Sequence, residues 1–337
     1  MRRLVHVVVM ALLAAVLLLA ALGLFLRRPS LGSPALLIHE RARPAALAEH
    51  VAMLAGTLAP RDVDHPENLE RAAAYVEAQL REANARVGSE EYRATFRPDL
   101  PAEPFRNLVA SFGPEGGSRV LVGAHYDAFG MFGANPGADD NASGVAGLLE
   151  LARLLGDRPL ARRVDLVAFT LEEPPFFAGP GMGSRVHARA LATAGVPVKA
   201  MVCLEMIGYF SDHQPWPSPL LALVYPHRGD FIGVVGQPFD RGLARRIKGW
   251  MRVPPATPGP KVPVYSFNGP TVMGTDASDH SSFWLEGMPA VMVTDTAFMR
   301  NPYYHGPDDR PETLDYQRMA TVVDGVLNAV LHLAGGR

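Results

Sequence analysis

Apolar residues run from Leu4 to Leu26 with His6 as the one polar interruption, then recur at helical spacing, then gather into short continuous runs parted by polar turns. The first run holds 23 residues; as a helix it would extend roughly 35 Å, enough for a bilayer. Arg2 and Arg3 precede it, which favours a cytoplasmic N-terminus, and Arg27 and Arg28 follow it. The expectation is an uncleaved signal-anchor over residues 1–28. The catalytic part would then lie outside the cytoplasm, periplasmic or extracellular. The alternative is secretion after cleavage, with Ala21-Leu22-Gly23 as the small-x-small site. Residues 29–40 read as a linker, and 41–337 as a single domain.

Beyond the linker, two helices are predicted around Ala45–Leu58 and Pro66–Ala85. In the second, Leu69, Ala72, Ala73, Val76 and Leu80 repeat with helical period. Strands follow at 89–96, from Asn107, and at 119–125 (RVLVGAH), and Gly116-Gly117 reads as a hairpin turn between the last two. A Gly/Asn/Asp loop at 128–144 leads into an apolar helix at 145–155. Further strands are predicted at 164–173 (VDLVAFTLEE), 198–209 and 289–296, with helices at 184–194 and 313–334. Continuous apolar strands alternating with helices argue for an α/β fold whose mostly parallel sheet is covered on both faces.

The chain has 337 residues, a formal net charge of -2 and 48% hydrophobic residues. No Lys/Arg run interleaved with aromatics is present, so a nucleic-acid surface is not expected. Cys203 is the one cysteine. An intramolecular disulfide and a cysteine zinc cluster are therefore excluded, and its place in MVCLEMIGY reads as a buried core thiol.

In open α/β sheets, sites form beyond the carboxyl ends of the strands. His125 ends one strand, Glu172 and Glu173 end another, and Glu205 lies towards the end of a third. Asp140 sits in the loop after the His125 strand, and His305 in the loop after 289–296. Two histidines and three carboxylates can hold two divalent cations if one carboxylate bridges them, which leaves Glu172 free to carry a proton. Asp127, two residues past His125, can accept the other imidazole N–H and fix the tautomer. Adjacent strand residues point to opposite faces, so Glu172 and Glu173 can both reach one centre only if the strand end twists.

The succession HYD, GADDNASG, TLEE, LEMIGY, SDHSSF and YHGPDD resembles the di-zinc exopeptidases, a family that includes secreted bacterial leucine aminopeptidases, aminopeptidase Y and glutamate carboxypeptidase. The resemblance covers about 107–334 and implies the zinc-exopeptidase α/β/α sandwich with a mixed, mostly parallel central sheet. It implies two zinc ions per chain. His125 and Glu205 would hold one, Glu173 and His305 the other, with Asp140 rather than Asp139 bridging. Glu172 takes the place of the general base and acid, and Tyr304 that of a tyrosine that binds substrate or stabilises the tetrahedral intermediate. A cis peptide at Asp140-Asn141 is implied too. One departure is Glu205, where the aminopeptidases more often carry Asp.

The function that follows is a membrane-anchored zinc aminopeptidase acting on peptides. Its alternatives are a carboxypeptidase or dipeptidase, a glutaminyl cyclase, and a receptor-like relative without catalysis. No Gly-x-Ser-x-Gly elbow supports a serine hydrolase. The string GPGMGS at 179–184 lacks the phosphate-loop ending and reads as a turn before a helix capped at Ser184. His280 and Asp279 read as loop-shaping, as do Asp308 and Asp309, and His187, His213 and His227 read as surface residues. Oligomeric state is not legible.

Overall fold

The computed structural model describes residues 2–27, 30–31, 35–97, 99, 101–131, 133–237, 240, 242–256, 259–268 and 274–335. The N-terminal part runs α1 (Arg2–Arg27), α2 (Pro44–Ala52), α3 (Pro66–Glu82), β1 (Arg86–Ala94) and β2 (Glu103–Phe112). The central part alternates: β3 (Arg119–His125), α4 (Gly144–Leu155), β4 (Arg163–Phe169), α5 (Gly183–Thr193), β5 (Val198–Glu205) and α6 (Pro219–Val224). β6 (Ile232–Gly236), α7 (Leu243–Trp250), β7 (Val264–Asn268), α8 (His280–Leu285), β8 (Ala290–Thr294) and α9 (Tyr316–Ala334) complete the chain.

The strands form one 8-stranded sheet in the order β1-β2-β4-β3-β5-β8-β6-β7. The centre, β4-β3-β5-β8, is parallel. Antiparallel pairs occur at β1/β2, β2/β4 and β6/β8. The centre is buried on both faces, which is why β3 and β4 are apolar almost throughout rather than alternating. Val120, Val122 and Ala124 of β3 pack towards α2, α3, α4 and α9. Leu121 faces the other way, into a core with Ala188 of α5 and Phe283 of α8. Helices thus cover both faces, as the α/β/α expectation requires. In α3, each of the residues expected to face the core is buried.

Two expectations are corrected. Helix α1 forms, but the membrane span does not stand: among the described residues no helix is long and apolar enough to cross a membrane. A bilayer is accordingly not supported among the partners expected of the chain. The second correction concerns Gly116-Gly117, which is not a hairpin turn. β4 is inserted between β2 and β3, antiparallel to one and parallel to the other, so the chain must cross over β4 rather than fold back. Within the stretch expected to be a linker, Ile38 is part of the core and Leu37 N–H donates to Asn328 Oδ1 of α9 at 2.8 Å.

Candidate metal centre

The candidate residues meet at the carboxyl edge of the parallel centre, because each strand there stops at the same level. His125 is the last residue of β3 and Glu205 the last of β5. After β4 the chain turns through Leu171 at φ 58°, a left-handed conformation that costs energy for a branched residue. This turn delivers Glu172 and Glu173 to the same edge. Met206 and His305 also have positive φ, 50° and 57°. Strained backbone therefore flanks or includes several of the site residues, as is common where geometry at a functional site is over-determined.

His125 Nε2 lies 3.4 Å from Asp140 Oδ1 and 3.3 Å from Glu205 Oε2. His305 Nε2 lies 3.2 Å from Asp140 Oδ2 and 3.3 Å from Glu173 Oε2. The two groups His125–Asp140–Glu205 and Asp140–Glu173–His305 can each hold a metal ion, and they share Asp140 through its two oxygens. This is the division the resemblance implied. Donors about 2.0–2.2 Å from a tetrahedral zinc stand roughly 3.3–3.5 Å from one another, so these separations suit zinc. His125 Nε2, His305 Nε2 and Glu173 Oε1 are buried with no hydrogen-bond partner among the described residues, although buried polar atoms ordinarily have one. The residues present therefore fit the metal.

Glu172 stands outside both groups. Its Oε2 is 3.9 Å from His125 Nε2, the widest of that ring's carboxylate separations. Asp127 is 2% exposed. Its Oδ1 lies 3.5 Å from His125 Nδ1, and its main-chain oxygen is nearer at 3.2 Å. The hydrogen-bond partner of His125 Nδ1 is therefore the Asp127 carbonyl and not the carboxylate expected from the sequence. Asp127 Oδ2 accepts the Glu173 N–H at 3.0 Å, so one residue orients ligands of both groups. Tyr304 stacks on the His305 ring at 3.7 Å, and Phe129 stacks on it at 4.0 Å.

The electrostatics express a surplus of buried negative charge. Burial raises Glu172 well above the ordinary carboxylate range, against the pull of His125. Burial, with Asp140 beside it, raises Glu173 to about 8. Burial opposes the charge on Asp140 too, yet the imidazoles of His125 and His305 beside it hold its pKa below the usual range. Burial lowers His305, but Asp140 and Glu173 outweigh it and raise the imidazole to about 10. Without cations, protons must neutralise the cluster, so metal binding releases them.

Several supporting residues were not singled out from sequence. Arg61, fully buried, donates to the carbonyls of Tyr126, Leu54, Pro136 and Gly137 at 2.6–2.9 Å. It thereby ties down the loop between His125 and Asp140. Ser278 Oγ donates to Glu205 Oε2 at 2.6 Å. Asp309, read as loop-shaping, accepts the Asp139 and Asp140 N–H groups at 2.9 and 3.0 Å. Its neighbour Asp308 is exposed. His280 is a buried donor to Thr275 O at 2.9 Å and joins neither ligand group. The peptide Asp140-Asn141 is cis. His213 and His227 are exposed. His187 is not: it is buried, with Nδ1 3.0 Å from Glu90 Oε2, because α5 turns it onto the sheet. The turn at 179–184 leads into α5 one residue early, with Met182 at the cap position, and Ser184 Oγ bonds Ser282 Oγ at 2.9 Å instead.

A cavity adjoins the centre at Glu205 and Tyr304. Its walls include Trp216, Val235, Phe267, Met292 and Phe298. A second cleft adjoins it at Glu173 and Asp127.

The model of peptidase family M28 matches residues 107–330, which include every residue of both ligand groups. The chain belongs to peptidase family M28. As an M28 member it is a hydrolase, a peptidase. A similar protein is the uncharacterized protein YfbL of Escherichia coli K12, 44% identical over 295 residues, covering 85% of this chain and 87% of that protein. A probable leucine aminopeptidase of Trichophyton verrucosum is 29% identical over 221 residues, 63% of this chain. The match spans about half of that relative, 53%. Among solved structures, the zinc aminopeptidase BSAP of Bacillus subtilis aligns with TM-score 0.61 at 15% identity, covering 88% of this chain and 95% of that one. Fimbriiglobus ruber glutaminyl cyclase aligns with TM-score 0.62 at 20% identity, covering 90% and 97%. At these identities the structural likeness concerns the fold alone, so this M28 chain's reaction must be argued from its own site.

Proposed function

We propose that the chain is a two-metal aminopeptidase that removes a bulky apolar residue from the free N-terminus of a peptide. His125 and Glu205 would hold one zinc and Glu173 and His305 the other, with Asp140 between them. Bound there, the pair would supply Lewis acidity at the scissile carbonyl and bring the pKa of a nucleophilic water down towards about 7. Glu172, beside both groups and a member of neither, takes a proton from the attacking water and hands it to the leaving amine. Asp127 keeps the His125 ring in its ligating tautomer. Tyr304, at the mouth of the apolar cavity, orients the substrate carbonyl and donates to the oxygen as its charge grows.

The observation that carries this reading is the apolar cavity beside Glu205, lined by no lysine or arginine among the described residues. An N-terminal amine is a cation that acidic residues attract, and its side chain fills the cavity. A carboxypeptidase must instead bind a carboxylate with basic groups. Among the described residues neither cleft at the centre is lined by one, and Arg300 Nε and Nη1 donate to Gln214 and to the carbonyls of Tyr209 and Phe231. A glutaminyl cyclase with one zinc has no use for a complete second group, which this chain keeps. A receptor-like role would not require Glu172.

The test compares one leucyl peptide in three forms: free, N-acetylated and C-amidated. The aminopeptidase reading expects cleavage of the free and amidated forms and little of the acetylated one. Loss of cleavage only on C-amidation would replace it with the carboxypeptidase alternative.

A further inference from the structure

We propose that the second cleft receives the side chain of the residue that follows the scissile bond, and prefers one with an aliphatic stem and a cationic head, lysine or arginine. The inference rests on the aminopeptidase reading and extends it from the first residue to the second. The two cavities meet the centre at different ligands, the first at Glu205 and the second at Glu173 and Asp127. A peptide with its first side chain in the apolar cavity must cross the shared Asp140, and its next residue then emerges on the Glu173 side.

The cleft has both halves of a site for such a side chain. Val63, Phe96, Met131 and Pro174 supply apolar wall, against which methylene stems pack while a charged head stays near water. Phe96 and Met131 are 50% and 58% exposed, so this apolar surface lies open at the mouth. The charge in the wall is negative. Asp62 is 5% exposed, and its Oδ1 is held by the Asp64 N–H at 3.0 Å and by His65 Nδ1 at 2.7 Å. Asp64 stands at the exposed rim, and among the described residues it has no ion pair and no lysine or arginine lines the cleft. A glutamate side chain entering here would meet like charge at Asp64, and norleucine would leave that carboxylate without a partner at the rim. Residues 62–64 and 96 precede the stretch that the family model matches.

The experiment measures kcat/KM of the zinc-loaded full chain on Leu-Lys, Leu-norleucine and Leu-Glu amides, with leucine anilide as a substrate that has no second residue. The expected order is lysine above norleucine above glutamate. The lysine-to-norleucine ratio should be about threefold or more, the size of a partly exposed ion pair. It should shrink as salt is raised, and fall towards or below unity in Asp64→Lys. A ratio at or below unity in the unaltered protein overturns the proposal, as does a ratio that neither salt nor Asp64→Lys changes. Cleavage of leucine anilide without discrimination at the second residue defeats this inference alone, whereas no cleavage of any leucyl substrate defeats the aminopeptidase reading with it.

Discussion

Glu172 and Glu173 are chemically identical neighbours, and the left-handed turn at Leu171 is what gives them different positions. Glu173 Oε2 is 3.3 Å from His305 Nε2 inside one ligand group, while Glu172 stands off both. Glu172→Gln should therefore lower kcat by about 10²–10⁴-fold with metal content unchanged. Glu173→Gln should lose metal. Kinetics paired with metal analysis checks both, and equal metal loss in the two variants would refute the division of roles. Arg61 poses the opposite case, a charge whose partners are carbonyls. Removing it strands several buried acceptors, each costing about 1–3 kcal/mol. Arg61→Met should accordingly lower unfolding free energy by roughly 3 kcal/mol or more, and a denaturant curve shifted by less than about 1 kcal/mol would contradict this. The ligands could be read in sequence because each closes or follows an apolar run. Arg61 could not, since it lies 64 residues before His125 and nothing local distinguishes it from an exposed arginine.

Among the elements, α8 carries a pH response of its own. Its first residue, His280, is fully buried, and burial lowers its imidazole to about 4. An unfolded chain would protonate that ring near 6.5. Between those values the unfolded state binds the extra proton, so stability is complete above about pH 6.5 and declines as pH falls towards 4, by at most roughly 3 kcal/mol. Urea unfolding at pH 7.5 and pH 5, with chelator present so that metal loss does not contribute, should show a larger fall for the unaltered protein than for His280→Gln. Identical falls would contradict the assignment. Element types were largely legible from hydrophobic period, as in α3, α4 and the central strands. Ends were less so: β4 stops at Phe169 and β5 at Glu205, before the Glu172-Glu173 pair and the stretch 206–209 that sequence alone joins to them. The positive φ of Leu171 and Met206 ends them, and no glycine marks either position. His187 was misread for a related reason. A histidine among arginines and alanines looks solvated until α5 is laid against Glu90 of β1.

For the whole molecule, sequence order and spatial order part company on one side of the sheet. β2 and β3 are consecutive in the chain, yet β4 lies between them, and a glycine pair between two strands cannot report that insertion. On the other side, the parallel centre followed from alternating strands and helices, and the site followed from the edge where those strands end. The N-terminal helix formed, but among the described residues no helix is long and apolar enough to cross a membrane. What unites the molecule is that α2, α4 and α9 on one face and α5 and α8 on the other hold β3, β4 and β5 so that two ligand groups converge on the oxygens of one aspartate. That convergence is the central claim, and native mass spectrometry of the full chain, stripped of metal and then titrated with zinc, tests it most directly. Two zinc ions per chain at saturation, falling to one or none in Asp140→Ala, is the predicted result. Saturation at a single zinc, or a stoichiometry indifferent to Asp140, would contradict it.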